Sequence, residues 1–96
     1  MKIEYDEGKR AATLAARGLD MARTVEIFAG PHLTIPDQRF DYGEARFLTI
    51  GLLAGRMMVL AWTPRGDATR IISLRKANER EEKRYFGRLG RSGRNP

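Results

Sequence analysis

The chain of 96 residues has no cysteine and a single histidine. The first absence removes disulfide frameworks, thiolate metal sites and cysteine nucleophiles together, and it suits a reducing compartment. The second leaves His32, just after Gly30-Pro31, without the partners that a zinc site or a histidine acid–base pair would need. His32 is therefore read as a structural or solvated side chain. Long apolar runs are missing too. The longest, Met57-Met58-Val59-Leu60-Ala61-Trp62, falls far short of the ~20 residues needed to cross a bilayer. Met1-Lys2-Ile3-Glu4-Tyr5-Asp6 turns acidic at once and carries no signal-peptide core, so a cytoplasmic location is expected. No glycine-rich phosphate loop is present, because Gly51 and Gly55 fall on a hairpin and do not open a helix. The carboxylates lack metal-ligand spacing. Asp37, Asp41 and Glu44 suit at most a transient Mg²⁺ contact in a loop, and no metal or cofactor is expected.

What is present is enough for one core: 42% of the residues are hydrophobic. The net charge is +6, unevenly spread. Residues 1–48 hold 7 basic and 8 acidic side chains, whereas residues 49–96 hold 11 basic and 4 acidic. A chain polarised in this way suits a polyanion on one side and a different partner on the other, with a solvated basic surface as the competing reading.

The pattern reads as alternating short elements. Lys2–Tyr5 alternates like a strand, and Asp6 caps a helix over 7–17 whose core face is Ala11, Leu14 and Ala15. Gly18 stops that helix, with Leu19 folding back onto Leu14. Asp20 caps a second helix with Met21, Ala22, Val25, Phe28 and Ala29 inward, ended by Gly30-Pro31. A short strand over 33–35 precedes a polar stretch over 37–44. Strands over 46–53, 56–63 and 68–74 then follow, joined at Ala54-Gly55 and at Pro64-Arg65-Gly66-Asp67. Asn78 and Glu81 have capping-box spacing and start a helix over 79–88. The expected fold class is α+β: a mainly antiparallel meander with two N-terminal helices on one face and a C-terminal helix, the other face partly bare. Residues 1–88 form a single domain, and 89–96 a basic, flexible tail.

The side chains left to carry chemistry are Glu44, Arg46, Arg70, Arg75, Lys76 and Tyr85. Arg75-Lys76 lies where the last strand meets a helix N-terminus, and guanidinium, ammonium and free amides together suit a phosphate. Strand alternation puts Arg75 with Thr69, Ile71 and Ser73, and Arg70 on the other face with Ile72 and Leu74. Arg46 and Arg70 read equally well as surface ion pairs. Trp62 is read as core, while Tyr85 is either core or a platform for an unpaired base.

Three segments then resemble a known family: Ile3-Glu4-Tyr5-Asp6-x-x-Lys9, Asp41-Tyr42-Gly43-Glu44-x-Arg46-Phe47, and Arg70-Ile71-Ile72-Ser73-Leu74-Arg75-Lys76-Ala77-Asn78-x-x-Glu81-x-x-x-Tyr85. Together they resemble the BrnT toxins. The resemblance implies a RelE-like fold, metal-independent ribonuclease activity that blocks translation, and a BrnA-like DNA-binding antitoxin as partner. Its motifs fall on Glu44, Arg46, Arg75, Lys76 and Tyr85. The chain departs from the pattern at Tyr5, where Trp or Phe is usual, and at Arg17 and Phe40, where histidine is usual. On this reading Glu44, Arg46, Arg75 and Tyr85 are catalytic, and Lys76, Arg70 and Arg56 bind RNA. Arg46 and Arg75 stabilise the phosphate during attack by a 2′-hydroxyl. A catalytically weak or inactive module that binds RNA or antitoxin is the alternative.

Overall fold

The computed structural model describes the backbone of residues 1–94 and the side chains of residues 1–89. The elements run β1 (Ile3–Glu4), α1 (Glu7–Arg17), a 3-10 turn (Met21–Arg23), α2 (Thr24–Ala29), β2 (His32–Pro36), β3 (Phe47–Leu53), β4 (Arg56–Arg65), β5 (Ala68–Lys76) and α3 (Glu79–Arg94). Five strands form one sheet in the order β1-β5-β4-β3-β2. The hairpin-joined pairs are antiparallel, as the short connections require, and β1 alone adds in parallel, beside Thr69 and Arg70.

Local signals set several ends. The Asp6 carboxylate accepts from the Lys9 amide at the start of α1, and Gly18 closes it with φ 70°, donating to Leu14 O. Ala54 (φ 52°) and Gly55 (φ 77°) both take left-handed geometry in the β3–β4 turn, the twist that two-residue hairpins need. The β4–β5 turn is tighter than the four residues expected. Pro64 lies within β4, and Gly66 (φ 61°) makes the reversal. β5 runs on to Lys76, beyond the expected Leu74. The last helix continues to Arg94, past the expected end near Arg88, and the expected tail over 89–96 falls partly outside the described residues.

Register assigns the two faces, because directly paired residues share one. On the first face Leu53, Met58, Leu60, Ile71 and Leu74 pack with Leu19, Met21 and Ile27 beneath the N-terminal helices. Trp62 joins this layer as core, stacked 4.9 Å from Phe47 and donating its indole N–H to Thr49 Oγ1 at 2.8 Å. On the second face Ile50, Met57 and Val59 pack with Leu33, Ile35, Leu48, Tyr85 and Leu89. That face is therefore less bare than expected, since α3 lies against it through Tyr85 and Leu89.

The helices differ from expectation in their inward residues. None of α1 is fully buried, and Leu14 is 44% exposed while Leu19 goes into the core. In the second helical segment Met21, Thr24 and Ile27 are buried and Val25 is exposed. The cause is the 3-10 turn. It winds three residues per turn instead of 3.6, so the inward stripe advances by threes and Val25 leaves it.

α2 packs onto β3 at Gly51, where a Cβ would stand 2.5 Å from Ile27 Cγ2 and 3.2 Å from His32 Cβ. Gly51→Ala is expected to destabilise the fold by about 1–3 kcal/mol, the usual cost of overpacking. Thermal unfolding checks this, and an unchanged midpoint would mean that α2 shifts at no cost.

Candidate functional site

The joint between β5 and α3 is built on Arg75. This residue pairs with Val59 across the ladder and so faces α3. Its Nη1 and Nη2 donate to the two carboxylate oxygens of Glu81, each at 2.8 Å, and Nη1 also meets Lys76 O at 3.3 Å. Glu81 completes the expected capping box: its carboxylate accepts from the Asn78 amide at 2.9 Å, and its own amide donates to Asn78 Oδ1 at 2.8 Å. The hydrogen bond to Glu81 raises the pKa of Arg75 against the effect of burial, and the nearby positive charge of Arg39 opposes the rise. The same hydrogen bond holds Glu81 below the ordinary carboxylate range.

A second group lies in the segment between β2 and β3. It frames a cavity of about 570 Å³ lined by Asp37, Arg39, Tyr42, Glu44 and Arg46, among others. The Asp37 side chain is only 2% exposed. It accepts from Arg39 Nε at 2.8 Å, from Arg39 Nη2 at 2.9 Å and from the Tyr42 hydroxyl at 3.2 Å. The guanidinium of Arg46 lies 4.1 Å from the Tyr42 ring centroid and donates through Nε to Glu44 at 3.1 Å. Glu44 also meets Arg65 at 3.9 Å. Hydrogen bonds to backbone carbonyls anchor its ends, the Asp37 amide donating to Arg46 O at 2.8 Å and the Thr63 hydroxyl to Ala45 O at 2.6 Å.

β5 does not alternate as its sequence suggests. Trp62 pairs with Ile71 but Ala61 pairs with Ser73, so Ile72 is the extra residue of a bulge. Arg70 pairs with Thr63, and Thr63, Ala61 and Val59 alternate along one side of β4. Arg70, Ser73 and Arg75 therefore share the α3 face, instead of Arg70 lying opposite Arg75. At the far end of the sheet Arg70 meets Glu4 at 3.5 Å.

Lys76 pairs with Met58, a residue of the first core layer, so it leaves β5 on the side opposite Arg75. The two cations expected to grip one phosphate together thus diverge, because the strand runs through both. Arg56 also sits apart, beside Leu14, Asp20 and Arg23 near the first hairpin. Tyr85 is half-buried in the second core layer, four residues after Glu81 on one helix stripe, with Arg84 5.5 Å from its ring centroid. His32 is exposed, its Nδ1 donating to Gly30 O at 2.8 Å and its ring edge-on to Phe28.

Sequence reasoning missed Asp37, Arg39, Tyr42 and Glu81 as members of these groups. Asp37-x-Arg39 carried a signal, since residues two apart in extended chain lie on one side. Glu81 was legible as a cap, but its hold on Arg75 depends on how α3 folds back. At the two positions where the family usually has histidine, Arg17 donates to Leu74 O at 2.8 Å beside β5, and Phe40 is 70% exposed and edge-on to Tyr42.

The fold and these groups define a small basic α+β protein that collects guanidinium groups, each backed by a carboxylate, along one side of a mostly antiparallel sheet. Residues 5–81 match the family described as the ribonuclease toxin BrnT of type II toxin–antitoxin systems. The match covers most of the chain, which belongs to the BrnT family of ribonuclease toxins. No curated protein matches it. A type II toxin implies a protein antitoxin as its partner. No helix among the described residues is long and apolar enough to cross a membrane.

The side-chain hydrogen bonds from Arg39, more than those from the Arg39 backbone amide and from Tyr42, lower the Asp37 pKa to about 2 despite burial. A depressed carboxylate stabilises the fold above its unfolded pKa of about 3.9, and the contribution disappears as pH falls through the folded value. The Tyr42 environment, followed by NMR, is therefore expected to hold from pH 7 to about 4 and to change as pH approaches 2. In Asp37→Asn that acid transition should be absent.

Proposed function

We propose that the chain is an endoribonuclease that cleaves RNA without a metal and inhibits translation in the cytoplasm. A BrnA-like DNA-binding antitoxin neutralises it, and DNA is met only through that partner. The sheet with two N-terminal helices and one C-terminal helix is of the RelE-like type. One observation carries the catalytic reading: the β5 bulge puts Arg70 and Arg75 on one face, with Arg39 close enough for its charge to act on Arg75. A chain of phosphates has a complementary charge there.

In this reaction the RNA 2′-oxygen bonds to the adjacent phosphorus and the bond to the 5′-oxygen breaks, leaving a cyclic phosphate. The 2′-hydroxyl proton passes to a base, and another proton goes to the departing 5′-oxygen. Arg46 and Arg75 stabilise the extra negative charge on the phosphate oxygens, as fixed guanidinium donors do. Glu44 orients Arg46 and is the base in this reading. Tyr85 is the acid, or the ring on which a base stacks. Glu81 occupies both terminal nitrogens of Arg75 and holds the place of a phosphate. Metal independence is supported by carboxylate chemistry, since Asp37, Glu44 and Glu81 each already have a guanidinium partner. Arg70 contributes a backbone contact, whereas Lys76 and Arg56 lie apart from this cluster.

The test is cleavage of a single-stranded RNA by the purified chain in excess EDTA. Activity should persist, and Arg46→Ala and Arg75→Ala should each lower it by about 100-fold, the common effect of deleting one charge-stabilising donor. Full activity in a folded Arg75→Ala protein would remove the assignment. Binding of RNA that stays intact would instead support a non-cleaving module. Expression of the chain alone should arrest growth, and co-expression with its antitoxin should restore it.

A further inference from the structure

We infer that Arg39 is a substrate-binding arginine of this site, positioned by the buried carboxylate of Asp37, and that it takes an RNA phosphate adjacent to the one cleaved. The inference rests on the RNA-cleaving reading above. The Asp37–Arg39 pair is lopsided: the carboxylate is 2% exposed and the guanidinium side chain 63%. The hydrogen bonds from Arg39 outweigh the burial of Asp37 and keep it ionised, while solvent around the exposed guanidinium limits what the pair adds to stability. What the arrangement secures is the position of the guanidinium. Asp37 takes the edge formed by Nε and Nη2, so the Nη1 end of the planar group is directed away from it. Arg75 differs, because Glu81 takes both its terminal nitrogens.

Three further observations bear on Arg39 and the cavity it lines. Its volume of about 570 Å³ is within the range of small-ligand sites and admits a nucleotide. Arg75 lies outside the lining of this cavity, but the positive charge of Arg39 opposes the rise in the Arg75 pKa, and a bound anion near Arg39 offsets that effect. Asp37 also holds the Tyr42 hydroxyl, and the Tyr42 ring carries the Arg46 guanidinium. A single carboxylate thus sets Arg39 directly and Arg46 through Tyr42. Asp37 is a positioning residue, since its oxygens are taken up by protein donors.

Steady-state cleavage and binding of a fluorescent single-stranded RNA oligonucleotide test this. Arg39→Ala should raise KM about tenfold and leave kcat within about threefold, the pattern of a lost binding contact. It should also reduce the slope of log affinity against log salt by about 0.7, one phosphate contact on a single strand. Arg39→Lys should recover part of KM, keeping charge without the fork. Asp37→Asn should raise KM about threefold in the unaltered chain and not raise it further in Arg39→Ala, any effect through Tyr42 and Arg46 falling on kcat, whereas a merely structural aspartate would raise KM alike in both. If Arg39→Ala does not fold by circular dichroism, Arg39→Gln carries the same expectations. Unchanged KM and salt slope on losing the Arg39 charge would overturn the inference while cleavage by the unaltered chain stands. An unaltered chain that neither binds nor cleaves the oligonucleotide would overturn the RNA reading and this inference with it.

Discussion

The bidentate contact between Arg75 and Glu81 decides how the last helix meets the sheet. Both side chains are partly exposed, 41% and 23%, so solvent screens the attraction and the pair is a modest source of stability. Its importance is geometric. Glu81 is also the capping-box partner of Asn78, so one carboxylate closes the start of α3 and ties that start to the end of β5. The Ala77 amide on Met57 O fixes the intervening turn. With the helix aimed in this way, Tyr85 and Leu89 follow at four-residue steps on the stripe that Glu81 begins, and they reach the second core layer.

The same pairing of guanidinium with carboxylate recurs across the molecule. Arg10 with Asp20, Arg39 with Asp37, Arg46 with Glu44 and Arg70 with Glu4 all lie within 3.5 Å. In the linear chain the acids concentrate in the first half and the bases in the second. Folding mixes them, because β1 lies beside β5 and the segment after β2 lies beside the end of β4. Glu4 and Glu44 from the acidic half thereby neutralise Arg70 and Arg65 from the basic half. Charge polarity along the sequence is thus a poor guide to charge polarity in space. The functional question shifts from how many cations there are to which guanidinium edges remain directed outward.

Much of the architecture was legible because it is set by near neighbours. α1 is bounded as Asp6 and Gly18 predict, the two hairpins form where Gly55 and Gly66 allow reversal, and the capping box of Asn78 and Glu81 forms as spaced. The candidate site was legible only in part. Glu44 and Arg46 do meet, two residues apart, but Lys76 and Arg56 do not join them. Asp37, Arg39 and Tyr42 went unrecognised because, beyond the two-residue spacing of Asp37 and Arg39, the polar stretch holding them has no periodicity to read. The α1 face was misjudged as well, since Leu14 looks inward on a helical wheel but meets no second apolar layer.

By itself the sequence determined the element order, the hairpin reversals, the helix caps and the family. These depend on backbone geometry and hydrogen bonds spanning a few residues, which residue type largely dictates. Only the tertiary structure decided which side chains share a face. A single bulged residue, Ile72, moves Arg70 to the side of Arg75, and strand pleat sends Lys76 to the other. The 3-10 turn likewise rephases the second helix. Such one-residue changes of phase arise from pairing between strands and packing between layers, and no local pattern records them. They set the arginine face on which the proposed chemistry depends.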